Sequence, residues 1–203
     1  MISIRVEVPY ARMGSISNQK WTEFLADFPR ATPLSFRDSL PFSLFSGGIP
    51  RGALTELSSP LGCGKTEVVL KFLAEHPELS VLWIEQEFTF YPNRMLQERV
   101  SLNRVLFVES SEGPWVALQG LKAQIFEVVV LNSFILSETN LRRLQIATKR
   151  AGSIVFLLSE QRTQCGAWAI LLQLGVEKQG GQIQLSLEHS LRSTGRLKSQ
   201  FFR

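Results

Sequence analysis

Ile2, Ile4, Val6 and Val8 alternate with Ser3, Arg5 and Glu7, the period-two pattern of a half-buried strand, and Pro9 ends it. Trp21, Phe24, Leu25 and Phe28 then recur at helical spacing, with Asn18 as the cap. Pro29, Pro33 and Pro41 make residues 29–46 an irregular connection, so a strand and a helix form an arm ahead of the main body. Such an arm either docks on its own core or reaches a neighbouring subunit. From Gly47 onward the pattern changes. Residues 53–57 read as a short strand, the apolar runs 81–84 and 128–131 as buried strands, and 105–108 and 154–158 as further strands. Between them, helices are predicted after residue 64, over 92–101, over 114–124 and from a cap at Ser137 or Thr139 through Arg150. Residues 169–177 and 182–188, joined by Gly180-Gly181, close the chain as an antiparallel hairpin. This alternation predicts an α/β fold, a mostly parallel β-sheet flanked by helices. It divides the chain into an N-terminal arm and connection (1–46), a core (47–189) and a tail (190–203).

Composition narrows the function without naming it. A chain of 203 residues with 44% apolar content is expected to form one domain with a substantial core. No run is long enough to span a membrane and no secretory signal is visible, so the cytoplasm is the expected compartment and no membrane partner is expected. Two cysteines and two histidines make neither a disulfide framework nor a zinc site. The net charge of +4 resides in the tail, where Arg192, Arg196, Lys198 and Arg203 stand without an acid. That tail is a candidate contact for DNA or an acidic partner, and Phe201 and Phe202 suggest that it docks.

The chemistry is concentrated in Ser59-Pro60-Leu61-Gly62-Cys63-Gly64-Lys65-Thr66. The phosphate-loop pattern is G-x-x-x-x-G-K-S/T, and only its first glycine is missing, replaced by Ser59. A strand before the loop and an apolar helical face (Val69, Phe72, Leu73) after it supply the required context. In the loop Pro60 to Gly64, the backbone N–H groups of Leu61, Gly62, Cys63 and Gly64, with the helix N-terminus, would cradle phosphate. Lys65 would reach the terminal phosphates and Thr66 would offer its hydroxyl to Mg²⁺. Ser59 is tolerable if its backbone keeps a negative φ. In open parallel sheets ligands bind beyond the carboxyl ends of the strands. Those ends deliver Glu85 and Glu87, then Asn132 and Ser133, then Ser159, Glu160 and Gln161. Glu85 reads as a surface or capping carboxylate, and Trp83, Trp168, Trp115 and Trp21 as packing residues.

Together these motifs resemble the RecA family over roughly residues 47–188. Gly47-Gly48-Ile49-Pro50-Arg51-Gly52 is similar to that family's lead-in to the first core strand, and Pro60 with Gly64-Lys65-Thr66 to its phosphate loop. Trp83-Ile84-Glu85-Gln86-Glu87 resembles the strand end bearing the catalytic glutamate, which implies Glu87 as the general base. Val129-Val130-Leu131-Asn132-Ser133 resembles the second nucleotide motif, and residues 154–162 the strand ending in the phosphate sensor, which falls on Glu160 or Gln161. The resemblance implies ATP or ADP with Mg²⁺ as ligands, Tyr91 and Arg94 beside the adenine, and Asn132 holding the metal through water. Asn132 replaces an aspartate, which removes a charge that would offset Mg²⁺. The two loops with which the family holds DNA, here 133–139 and 161–167, are short.

The lead-in through Glu56 and Leu57, the size and the basic end are similar to the ImuA-type proteins, RecA-like accessory factors of bacterial mutagenic repair. That resemblance implies work beside RecA and an error-prone DNA polymerase during damage-induced translesion synthesis, in the SOS response. Three activities stay open at this point: a nucleotide-binding accessory protein with weak or absent hydrolysis, an active ATPase acting on DNA, and an interaction module with a vestigial nucleotide site.

Overall fold

A computed structural model describes residues 5–8, 11–13, 39–89, 93–164 and 166–190. The predicted arm helix around Trp21, the adenine candidate Tyr91 and the basic tail lie outside the described residues.

Strands β1 (Arg5–Val8), β2 (Ala11–Met13), β3 (Ser39–Leu40), β4 (Ile49–Pro50) and β5 (Ala53–Ser58) precede helix α1 (Lys65–Glu75). Then follow β6 (Val81–Glu85), α2 (Asn93–Gln97), β7 (Val105–Glu109), α3 (Gly113–Ala123), β8 (Val128–Asn132), α4 (Glu138–Ala151), β9 (Ile154–Ser159), β10 (Ile170–Gln179) and β11 (Gln182–Ser190). Nine strands form one sheet in the order β11-β10-β5-β9-β8-β6-β7-β1-β2, while β3 and β4 pair separately. The run from β10 to β7 is parallel, and the antiparallel pairs lie only at the two margins.

The apolar runs behave as expected of strands covered on both faces: every residue of β6 is buried, as are Val128–Leu131 and Ile154–Leu158. Alternate side chains serve two cores. Leu57, Trp83, Val130 and Phe156 pack with Val69, Phe72 and Leu73 of α1. Leu54, Ile84, Leu131 and Leu157 pack with Val116 and Leu121 of α3 and Leu141 and Leu144 of α4. Helix α4 has the strongest start and stop signals. Ser137 Oγ accepts from the Asn140 amide at 3.3 Å, and Gly152 at φ 71° ends the helix.

The helix predicted over 92–101 covers only Asn93–Gln97. Arg99 turns to φ 62° and the Val100 amide returns to the Met95 carbonyl at 2.8 Å, a Schellman-like closure that stops the helix without a glycine. The C-terminal hairpin turns at Gly180-Gly181, at φ 57° and 82°, the conformation a tight two-residue turn demands. The N-terminal strand adds antiparallel to β7, placing Val6 opposite Val108. Trp168 is corrected: it is 49% exposed, because it sits in the short 3-10 turn Ala167–Ala169 before β10 rather than in the strand. Among the described residues, no helix is long and apolar enough to cross a membrane.

Candidate nucleotide site

The loop between β5 and α1 opens onto a cavity of about 580 Å³, within the size range of small-ligand sites. Its walls include the loop from Leu61 to Thr66, Glu85 at the end of β6 and Thr89 beyond it, Arg94 of α2, Asn132 at the end of β8 and Ser133 beyond it, and Glu160 after β9. The carboxyl ends of three parallel strands thus converge on the phosphate loop.

Ser59 is buried, and its amide donates to the Ser159 carbonyl at 3.2 Å, continuing the β5–β9 ladder by one residue. Its φ is not in the left-handed region, so a serine fits there without strain. Gly62 and Gly64, at φ 80° and 96°, do need glycine, and a Cβ on Gly62 would meet nothing within 4 Å. The curled backbone and open space at Gly62 fit a phosphate chain. Lys65 Nζ donates to the Ser59 carbonyl and, at 3.5 Å, to that of Pro60. Burial lowers the Lys65 pKa below its usual value of 10.5, while Glu160 and Cys63 act in the opposite direction. A ligand phosphate would replace the loop carbonyls as its partner. Thr66 lines the cavity at the start of α1, where the helix dipole favours an anion. Among the described residues no cluster of three or more His, Cys, Asp or Glu converges. Thr66 and Asn132, the residues expected to hold Mg²⁺, the latter through water, both line the cavity.

The surface reading of Glu85 is corrected: the residue is 1% exposed, and its carboxylate caps the backbone amide of Thr89. Its Oε1 accepts from Trp83 Nε1 at 2.9 Å and from Asn132 Nδ2 at 2.8 Å, and its Oε2 accepts from the Thr89 amide at 2.8 Å. Asn132 and Glu85 face each other across the β6–β8 ladder. Ser133, at φ 62°, is a non-glycine residue held in the left-handed region beside the cavity. Glu160 lines the cavity; Gln161 and Glu87 are exposed and are not part of its lining. Arg94 lines it while pairing with Glu67 at 3.7 Å and Glu98 at 3.6 Å. Cys63 has a free, half-buried thiol within the loop.

Sequence reasoning missed a second polar cluster. Glu56, fully buried in β5, accepts from Ser159 Oγ at 2.9 Å, from the Thr163 amide and hydroxyl at 3.0 and 2.6 Å, and from Gln173 Nε2 at 2.6 Å. Gln173 Oε1 in turn accepts from Arg162 Nε at 3.1 Å. The cluster pins the loop that carries Glu160 and Gln161. A glutamate in the middle of an otherwise buried strand was the available signal. Glu67 makes a third link. Burial pushes its carboxyl up, but Lys178 at 2.9 Å, with Lys71 and Arg94, outweighs burial and holds it below the usual range. Helix α1 is thereby tied to the C-terminal hairpin.

No family model matches the chain, and no curated protein matches it by sequence. Its fold is similar to that of the RadB recombinase seen in a crystal structure. The TM-score is 0.65 at 19% identity, over 79% of this chain and 91% of that one. The architecture is the RecA-like α/β fold, including the closing antiparallel hairpin.

Proposed function

We propose that this chain is a RecA-like nucleotide-binding accessory protein of bacterial DNA repair and damage-induced mutagenesis that holds Mg²⁺–ATP or –ADP and hydrolyses it weakly or not at all. The observation that carries this reading is an asymmetry at the cavity. The loop residues that would hold phosphate line it, whereas Glu87 lies outside its lining and Asn132 brings a neutral amide, with no charge to offset a metal. Phosphoryl transfer needs metal, water positioning and charge neutralisation together. Holding phosphate needs only the loop, Lys65 and Thr66. The translesion role beside RecA and an error-prone polymerase rests on the similarity of the Gly47–Leu57 lead-in.

Calorimetric titration with Mg²⁺–ATP and Mg²⁺–ADP, on the wild type and Lys65→Ala, tests the binding. Saturable binding lost in the variant, without steady turnover, is the expected result. Turnover that disappears in Glu87→Gln would instead establish an active ATPase. The interaction-module reading draws support from Lys65 folding back onto the Ser59 carbonyl, and absence of binding by the wild type would establish it. Co-purification with RecA and a translesion polymerase after DNA damage tests the cellular role.

A further inference from the structure

On the sheet face away from α1, helices α3 and α4 leave a groove of about 560 Å³ between them. Its floor is apolar: Trp115 and Leu118 from α3, Ile146 and Ala147 from α4. Ile146 is 45% exposed although the two leucines of the same helix, Leu141 and Leu144, are fully buried. The rim is cationic. Lys122, Arg143 and Arg150 line the groove, and Arg142 and Lys149 stand on the same helix pair, against the single acid Glu138 at the start of α4. Among the described residues, Lys122, Arg143 and Arg150 make no ion pair.

Stability alone does not account for this arrangement. Lys122, Lys149 and Arg150 sit in last turns, where cations offset the helix dipole. Arg143 lies earlier in α4, and an exposed isoleucine beside it gains nothing from the dipole. An apolar floor between two helices flanked by unpaired cations is complementary to a short segment with apolar side chains on one face and carboxylates beside them. Nucleic acid matches the rim, but Leu118, Ile146 and Ala147 give its bases no stacking surface and Trp115 is the one aromatic ring among the described lining residues. The chain's own tail carries four cations and no acid, so charge excludes it as the occupant. The geometry points to a docking site for an acidic amphipathic segment of a partner protein, with two apolar side chains on the Trp115–Ile146 floor and carboxylates meeting Arg143 and Arg150.

The test is peptide display on the full chain, counter-selected against the double variant Arg143→Glu with Ile146→Glu. Both positions are exposed, and an unchanged thermal unfolding midpoint verifies that the variant folds. Enriched peptides should pair apolar residues one helical turn apart with flanking Asp or Glu. A synthetic copy should bind the wild type and lose roughly ten-fold or more in affinity to the variant. A copy with Lys in place of Glu should bind the variant better than the wild type. Absence of enrichment, enrichment of peptides without acids, or binding unaffected by the double variant would overturn the proposal. So would a labelled single-stranded oligonucleotide that binds the wild type, competes with the peptide and is lost in the variant, or a concentration-dependent dimer abolished by the variant.

Discussion

Asn132 Nδ2 donates to Glu85 Oε1 at 2.8 Å, between two residues that are also ladder partners on β8 and β6. The amide is the partner that allows Glu85 to stay buried beside the phosphate cavity. Asn132 is therefore matched to its neighbour as well as being a departure from a metal-binding aspartate. Asn132→Asp should set two carboxylates against each other and remove a hydrogen bond to a charged group, at a cost of about 1.5–3 kcal/mol. Denaturant unfolding at neutral pH without Mg²⁺ measures this. Acidification that protonates one of the pair should narrow the deficit.

Lys65 gives a pH dependence of known sign. Burial lowers its pKa in the free chain below 10.5. Above the lowered value the folded chain binds fewer protons than the unfolded chain, so stability of the free protein rises with pH from that value up to 10.5. Nucleotide binding should follow the opposite course. Phosphate favours the charged lysine, so affinity should fall as pH rises through the same window, with proton uptake on binding. Calorimetry in two buffers of different ionisation enthalpy would detect it, and Lys65→Arg should remove the pH slope.

Glu56 accepts hydrogen bonds from β9, from Thr163 and from β10. Glu56→Gln places an NH₂ group where a donor already points. The expected loss is about 1–3 kcal/mol in equilibrium unfolding, the cost of an unsatisfied buried polar group. Limited proteolysis should find residues 160–166 more readily cut, although the substitution lies in the core.

Among the described residues, Thr55 Oγ1 is buried without a hydrogen-bond partner. Thr55→Val keeps the branched shape that suits a strand and removes the stranded hydroxyl. It should raise stability by about 1 kcal/mol. Thermal unfolding at fixed buffer and pH would detect it, and nucleotide binding should be unchanged.

The sequence made the strands from Ala53 to Ser159 and their helices legible, because buried runs such as Val128–Leu131 and the capped helix after Ser137 depend on local pattern. The phosphate loop was legible for the same reason: its spacing is short and contiguous. What escaped depends on contacts between distant segments. Glu85 looked like an outward carboxylate until Asn132, distant in sequence, supplied its partner. Glu56 lay within the predicted strand 53–57, and only the fold brings Thr163 and Gln173 to it. Trp168 was misplaced because a 3-10 turn delays the start of β10.

The pairing of β1 with β7 has a consequence for any shortened form of the molecule. Arg5–Glu7 pair with Phe107–Glu109, whose backbone groups would otherwise be open on that side. A version beginning at residue 39 would keep the phosphate loop, both apolar cores and every parallel strand. It would also convert β7 from an interior strand into a bare margin of alternating donors and acceptors, a template for adhesion between copies. Low solubility in such a fragment would accord with the opening of β7 along Phe107–Glu109.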